Sequence, residues 1–245
     1  MKDNFSGNSN LYAAYRPTYP DALFEFLYSK LSKIDSAWDV GTGNGQVARV
    51  LSEKFDSVFA TDISNDQLSN AFKADNIFYS CQAAEHTSFE SHCFDLITVA
   101  QAIHWFDFDK FYSEVRRTAK PGALIAVLGY GQHFVETEID AIMDIFYNKT
   151  LRPYWDAERR YVDEHYATIP FPFKELNVPE FSLRLQWSFD QYIGYLSTWS
   201  ALKHYKKQKG EDPLLEYSKN LKTYWKMDEI KTVQFPVLFR LGEVG

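Results

Sequence analysis

Three closely spaced glycines behind an acidic residue stand out in this chain as a place where chemistry could happen: Asp39-Val40-Gly41-Thr42-Gly43-Asn44-Gly45. Glycines at that spacing let the backbone turn tightly and come into contact with a ligand. A dinucleotide pyrophosphate asks for G-x-G-x-x-G, which would put the third glycine at position 46, but that residue is Gln46 and the glycine stands at 45. Asp39 points the same way, because a carboxylate at the loop entrance repels a pyrophosphate and attracts an ammonium group, directly or through water. Asp62 follows about twenty residues after the loop, the distance at which an acidic residue meets both hydroxyls of a ribose. Its competing role is a helix cap or turn residue. A ligand that joins an amino acid to a nucleoside fits this pattern better than a dinucleotide does.

The loop works only if a strand delivers it and a helix follows it. The pattern predicts strands at 37–40, 58–60 (ending at Asp62), 77–81, 94–100 and 123–128, with helices at 46–55, 66–73 and 107–119 between them. Asp21 is expected to cap a first helix, and Asn65 is a candidate cap for the helix at 66–73. Strands that are apolar on both faces and alternate with helices indicate a parallel sheet covered on both sides. After residue 130 the pattern changes to helices at 136–149, 189–205 and 213–225, a half-exposed strand at 181–187 and a last strand at 233–241. Pro236 within that strand suggests an edge or a bulge. The organisation expected is one domain over 1–245: an amino-terminal cap segment and helix (1–34), a ligand-binding core (35–130), and a helical insertion with the last two strands (131–245).

Composition narrows the classes. The chain has 245 residues, 45% hydrophobic and 24% charged, which excludes a disordered chain and supports a sizeable core. A net charge of −7 disfavours nucleic acid as a partner. The basic run Lys203, His204, Lys206, Lys207, Lys209 reads as a solvated helix end. The amino terminus lacks a signal-peptide apolar core, and no apolar run is long enough to span a membrane. With two cysteines, Cys81 and Cys93, there is no disulfide framework, and a reducing cytoplasm is the expected setting. His86, His92 and His133 form no metal pattern with those cysteines, H-E-x-x-H and C-x-x-C are both missing, and no metal is expected. The G-x-S-x-G elbow of serine hydrolases is missing too. Aromatics reach 17%, which suggests an aromatic-lined cavity.

These residues resemble the class I S-adenosylmethionine-dependent methyltransferases. The likeness covers about residues 35–130: the glycine loop, the FATDIS segment with Asp62, AAEHTSF at 83–89, FDLITVAQAIHWFD, and Lys120-Pro121-Gly122 before the fifth strand. Within that superfamily the chain is similar to the type 11 group, and its YRPTYP and AQAIHWFD segments are similar to the trans-aconitate methyltransferase-like branch. The resemblance implies a Rossmann-like α/β fold: a seven-stranded, mostly parallel sheet with the last strand antiparallel, helices on both faces and a helical insertion after the fifth strand. It implies S-adenosylmethionine as cofactor and S-adenosylhomocysteine as product. Gly41 and Gly43, with Asp39 and Thr42, would face the methionine part. Asp62 and Ile63 would hold the ribose and pack on the adenine, with Ala84 and Glu85 at the adenine edge. Many relatives carry an acidic residue where this chain has Ala83, which leaves a backbone amide at Ala84 or Glu85 for that contact. Ala100 and Gln101 would lie below the sulfonium. Arg16 would clamp the cofactor carboxylate, with Tyr15 stacking nearby, or else stand at the surface with its stem on the aromatic amino terminus.

Methyl transfer from a sulfonium is an in-line displacement that needs alignment and a dry cavity more than a catalytic group. A carboxylate acceptor needs no general base, whereas a hydroxyl or amine gains from one. His104 is the candidate base. Gln101, His104, Trp105 and Tyr130 are expected to contact the acceptor, against a plainer reading in which His104 and Trp105 only pack at the strand end. Tyr130, Phe134, Tyr154, Trp155, Trp199 and Tyr205 are candidates for an aromatic wall, each individually more at home in a core. Arg152, Arg159, Arg160 and Lys203 are candidates to pair with an acceptor carboxylate. The expected activity is methyl transfer to a small molecule, a carboxylic acid among the options, with neither nucleic acid nor membrane as partner. A non-catalytic module that binds the cofactor and acts through a partner, and a dinucleotide-dependent oxidoreductase, remain as alternatives.

Overall fold

The computed structural model describes residues 16–245. Its centre is five parallel strands: β1 (Ser36–Val40), β2 (Ser57–Asp62), β3 (Ile77–Cys81), β4 (Phe94–Ala100) and β5 (Ala119–Tyr130). They stand in the order β3-β2-β1-β4-β5. The order reverses between β1 and β4, which opens a crevice at the carboxyl ends of those two strands. β4 is buried along its length until Ala100, as its unbroken apolar run requires. α1 (Asp21–Ser29) and α2 (Gln46–Ser52) cover one face of the sheet through Leu23, Leu27, Ala48 and Leu51. α3 (Asn65–Ser69) follows β2, and α4 (Phe108–Thr118) covers the other face through Phe111, Tyr112 and Val115.

β8 (Ile230–Glu243) closes the sheet antiparallel to β5, as the resemblance implied, and the short β6 (Lys174–Leu176) lies beyond it. Seven strands stand in this row. An eighth, β7 (Ser182–Ser188), pairs only with the first half of β8. Pro236 marks the point where β8 leaves β7 for β5: Ser182 pairs with Pro236, and Tyr130 pairs with Val237. A proline brings no N–H to a ladder, and it sits where the pairing on the β5 side slips by one residue, from Tyr130–Val237 to Phe134–Gln234, which is the expected bulge.

The remaining elements form a cap with its own core. α5 (Thr137–Ile145) runs into a wide π-type turn at Phe146–Thr150. α6 (Arg159–Asp163), α7 (Phe189–Ser197), α8 (Ser200–Lys209) and α9 (Pro213–Leu221) complete the cap. Tyr192, Trp199, Tyr217 and Trp225 are buried among them together with Phe235 of β8. The helix expected over 189–205 is two helices: Trp199 takes an extended backbone and begins α8, its ring held against Trp155 and Tyr195 at 5.3 and 5.9 Å. Two expected caps also differ. Asp21 lies inside α1 behind Pro20, and α3 is capped by the Ser64 hydroxyl rather than by Asn65.

Candidate functional site

The carboxyl ends of β1, β2 and β4 border a cleft that opens to solvent. Gly41, Gly43 and Gly45 shape it, with φ of +64°, +56° and +80°, values that L side chains adopt only under strain. At Gly41 a Cβ would stand 2.7 Å from Ala102 Cβ, so the missing side chain lets the loops after β1 and β4 touch. At Gly45 a Cβ would strike the Tyr79 hydroxyl at 2.2 Å. At Gly43 the nearest atom is Gln67 Oε1 at 3.9 Å, so that residue faces open cleft.

Asp39 lines the cleft at 1% exposure. Its carboxylate accepts from the Thr42 hydroxyl at 2.5 Å and the Thr98 hydroxyl at 2.8 Å. Burial pushes it up to about 6, and the neighbouring Asp62 charge adds to the rise, while the hydroxyl bonds pull it down. No cation pairs with it among the described residues. A buried carboxylate held only by neutral donors is a fitting partner for a ligand ammonium. Asp62 serves the scaffold as well: its two oxygens accept from the amides of Gly43 and Ser64, both at 2.9 Å. A carboxylate oxygen can accept more than one hydrogen bond, so the same group suits the hydroxyls of a ribose.

Ile63, Ala84, Ala100, Gln101, Trp105 and Tyr130 also line the cleft. Gln101 holds a left-handed backbone at φ +53°, its amide bonded to Leu128 O at 2.9 Å and its side-chain nitrogen to Tyr130 O at 3.1 Å. Such a conformation in a non-glycine residue stores strain of about 1–2 kcal/mol, and it aims the end of β4 at the cleft. Arg16 lines the cleft rather than the outer surface: it donates to the Tyr130 hydroxyl at 3.1 Å and stands over the Tyr195 ring at 5.6 Å. Tyr15 lies outside the described residues.

Two expectations change. Glu85 does not line the cleft; its carboxylate accepts from the Asp107 amide at 3.0 Å and so ties the loop after β3 to α4. His104 is buried beside the cleft, its ring packed on Trp105 and Tyr166 at 5.0 and 6.1 Å and its Nδ1 3.3 Å from the Tyr166 hydroxyl. Burial, with the Arg159 and Arg16 charges, lowers its pKa to about 3. An imidazole that weakly basic, packed between Trp105 and Tyr166 and absent from the cleft lining, favours the packing reading over the general-base role. Of the aromatic candidates besides Tyr130, Phe134 faces solvent, Tyr154 and Tyr205 pack on each other at 4.7 Å, and Trp155 and Trp199 belong to the cap core.

Sequence reasoning missed Gln67, a buried glutamine that lines the cleft from α3, and Tyr19, which packs on Tyr130 at 6.2 Å. Ser64-x-x-Gln67 was the available signal, because a serine cap places the residue three positions on at a fixed point of the first turn. No group of side chains suited to a metal occurs among the described residues, and none of their helices is long and apolar enough to cross a membrane.

Residues 38–127 match the methyltransferase domain family of type 11. A Dictyostelium discoideum protein named as a methyltransferase is 34% identical, the match covering 98% of this chain and 95% of the relative. A structure from Anaeromyxobacter dehalogenans, described as a type II methyltransferase, superposes with a TM-score of 0.87 at 37% identity, covering 94% of this chain and 98% of the other. The malonyl-[acyl-carrier protein] O-methyltransferase of a Marinomonas species is 30% identical over a match of 50% of this chain and 47% of the relative.

Proposed function

The chain belongs to the class I S-adenosylmethionine-dependent methyltransferases, and from that premise we propose that it methylates a small carboxylic acid in a cytoplasmic setting. The observation that carries the acceptor class is the cation that the cap adds and the cofactor does not need: Arg159, set against the Tyr147 and Trp155 rings. The O-methyltransferase named among the relatives, and the likeness of YRPTYP and AQAIHWFD to the trans-aconitate methyltransferase-like branch, support an oxygen acceptor.

The cofactor, when bound, supplies an activated methyl group on a sulfonium. The chain's part is to hold and align. Asp39 would take the ammonium, Arg16 the cofactor carboxylate and Asp62 the ribose hydroxyls, while Ile63 and Ala84 would pack against the adenine. Gln101, Trp105 and Tyr130 bound the side from which an acceptor enters. Such positioning is worth several kcal/mol of barrier, on the order of 7–11 in well-aligned cases. A carboxylate acceptor is already anionic, so the weakly basic His104 leaves the reaction without a gap.

The test is turnover. Purified protein with S-adenosylmethionine and a panel of carboxylic acids, phenols and amines is expected to release S-adenosylhomocysteine with the acids. Cofactor binding without product on any acceptor would instead indicate a non-catalytic module. Uptake of NADH in place of the sulfonium compound would overturn the cofactor assignment itself.

A further inference from the structure

The cap holds a second set of polar groups that the cofactor cleft does not use. Its centre is Arg159, at the start of α6. One edge of the guanidinium is occupied: Nε donates to the Tyr147 hydroxyl at 2.8 Å and lies 3.4 Å from Asp163 Oδ1, the oxygen to which Tyr147 itself donates at 2.6 Å. That chain fixes the plane of the fork. The two terminal amino groups make no hydrogen bond to any described residue. The Trp155 ring lies against the guanidinium at 4.9 Å.

Two buried ring nitrogens close by also lack a hydrogen-bond partner among the described residues: Trp155 Nε1 and His133 Nδ1. His133 is 2% exposed, and its other nitrogen is held by the Tyr192 hydroxyl at 2.7 Å. Both rings pack on Trp199, at 5.3 Å for Trp155 and 6.2 Å for His133. The cluster joins the cleft through Tyr195, which packs on His133 at 5.7 Å on one side and under Arg16 at 5.6 Å on the other. An unsatisfied buried polar atom costs about 1–3 kcal/mol, so two of them beside an open arginine fork call for a ligand.

We propose that Arg159, Trp155 Nε1 and His133 Nδ1 form an acceptor subsite that binds an aryl carboxylate. This rests on the methyl-transfer reading above and names the acceptor for it. The planar fork matches a carboxylate across its two amino groups. One guanidinium, already beside Asp163, balances a single negative charge better than the two of a phosphate. The Trp155, Trp199 and Tyr147 rings, packed on one another at 4.9–5.6 Å, give an apolar aromatic face beside the fork against which an aryl group would lie.

Calorimetry tests this with benzoate and cinnamate as probes, after S-adenosylhomocysteine binding has been measured by itself. Protein loaded with S-adenosylhomocysteine is expected to bind the acids at least about tenfold more tightly than benzamide, the loss expected when a charge-assisted pair becomes a neutral one. Arg159→Gln is expected to remove about tenfold or more of acid affinity, with S-adenosylhomocysteine affinity within about twofold of wild type, and Arg159→Lys is expected to recover little, because an ammonium lacks the fork. Trp155→Phe keeps the ring and deletes one N–H; it is expected to lose about threefold to tenfold, and it carries the test should Arg159→Gln fail to fold. Equal binding of benzoate and benzamide, no binding of either acid, or unchanged acid affinity in a folded Arg159→Gln or Trp155→Phe would overturn the subsite. Failure to bind S-adenosylhomocysteine would strike the methyltransferase reading instead, so the two failures are distinguishable.

Discussion

The carboxyl edge of the parallel sheet borders the cleft and the cap meets it through Tyr195 against Arg16, but the two are built from different material. On the sheet side the work falls to backbone: three left-handed glycines, a strained Gln101 and the amides that meet Asp62. On the cap side it falls to side chains, with arginine, histidine and indole set among packed rings. A site made from backbone tolerates almost no change at its glycines and says little about the acceptor. A side-chain site is easily altered, which suits the cap to the acceptor subsite proposed for it.

The largest expected effect lies on the sheet side. Gly41→Ala forces a Cβ into Ala102 and a strained φ, and it should lower stability by about 2–4 kcal/mol and cofactor affinity by more than about 100-fold. Gly43→Ala sharpens the point: with open space beside it, about 1 kcal/mol of stability should go while the Cβ blocks the cleft and weakens the cofactor by about tenfold. Thermal melts with S-adenosylhomocysteine titrations separate the two, and equal stability losses would mean that the loop contact at Ala102 is unimportant.

Asp39→Asn comes next. It removes a buried charge that no cation among the described residues balances, so the unliganded protein should be as stable as wild type or more so, while cofactor affinity falls by about tenfold to 100-fold. Retained affinity would show that Asp39 is structural. The same group sets a pH dependence. Its pKa near 6 means that affinity for a cationic ligand holds between about pH 6 and the point where the ligand ammonium deprotonates, and falls by up to about tenfold per unit below pH 6. Stability in the absence of ligand runs the other way for this residue: its folded pKa is raised, so its contribution is full below the unfolded value of 3.8 and is lost as pH rises through about 6. The cap's His133 opposes it. Its pKa is lowered from 6.5 to about 3, so its contribution is present above 6.5 and is lost as pH falls towards 3. Melts across that range should show Asp39→Asn steepening the acid loss of stability and His133→Gln flattening it; parallel curves would contradict both assignments.

Arg16→Ala touches both regions at once and should cost about tenfold in cofactor affinity with little change in melting temperature, which calorimetry and melts measure together. The smallest expected effect is on the cap surface, where removing the half-exposed Lys206 partner of Asp212 by Lys206→Ala should change stability by less than about 1 kcal/mol.

The same contrast governs how much could be read in advance. β3 and β4 lie where the apolar runs put them, and the glycine loop declared itself through spacing alone. The left-handed turn at Gln101 did not, because nothing local distinguishes that glutamine from any other. In the cap, Tyr192, Tyr195 and Trp199 keep a helical period through the break before α8, since Trp199's burial and not its spacing decides where α7 ends. Arg152, Arg159, Arg160 and Lys203 are equivalent as letters; only the fold puts Tyr147 and Asp163 behind Arg159 and leaves its amino groups open. Gln67 stayed hidden because its role depends on which way the first turn of α3 faces.

The long strand β8 has a consequence for how ligands come and go. Because one uninterrupted length of chain borders the floor at Leu241 and the roof at Val233, the roof cannot swing clear without tearing ladder bonds on both sides of Pro236. Amide hydrogens on either side of that proline are therefore expected to trade with deuterium at similarly slow rates.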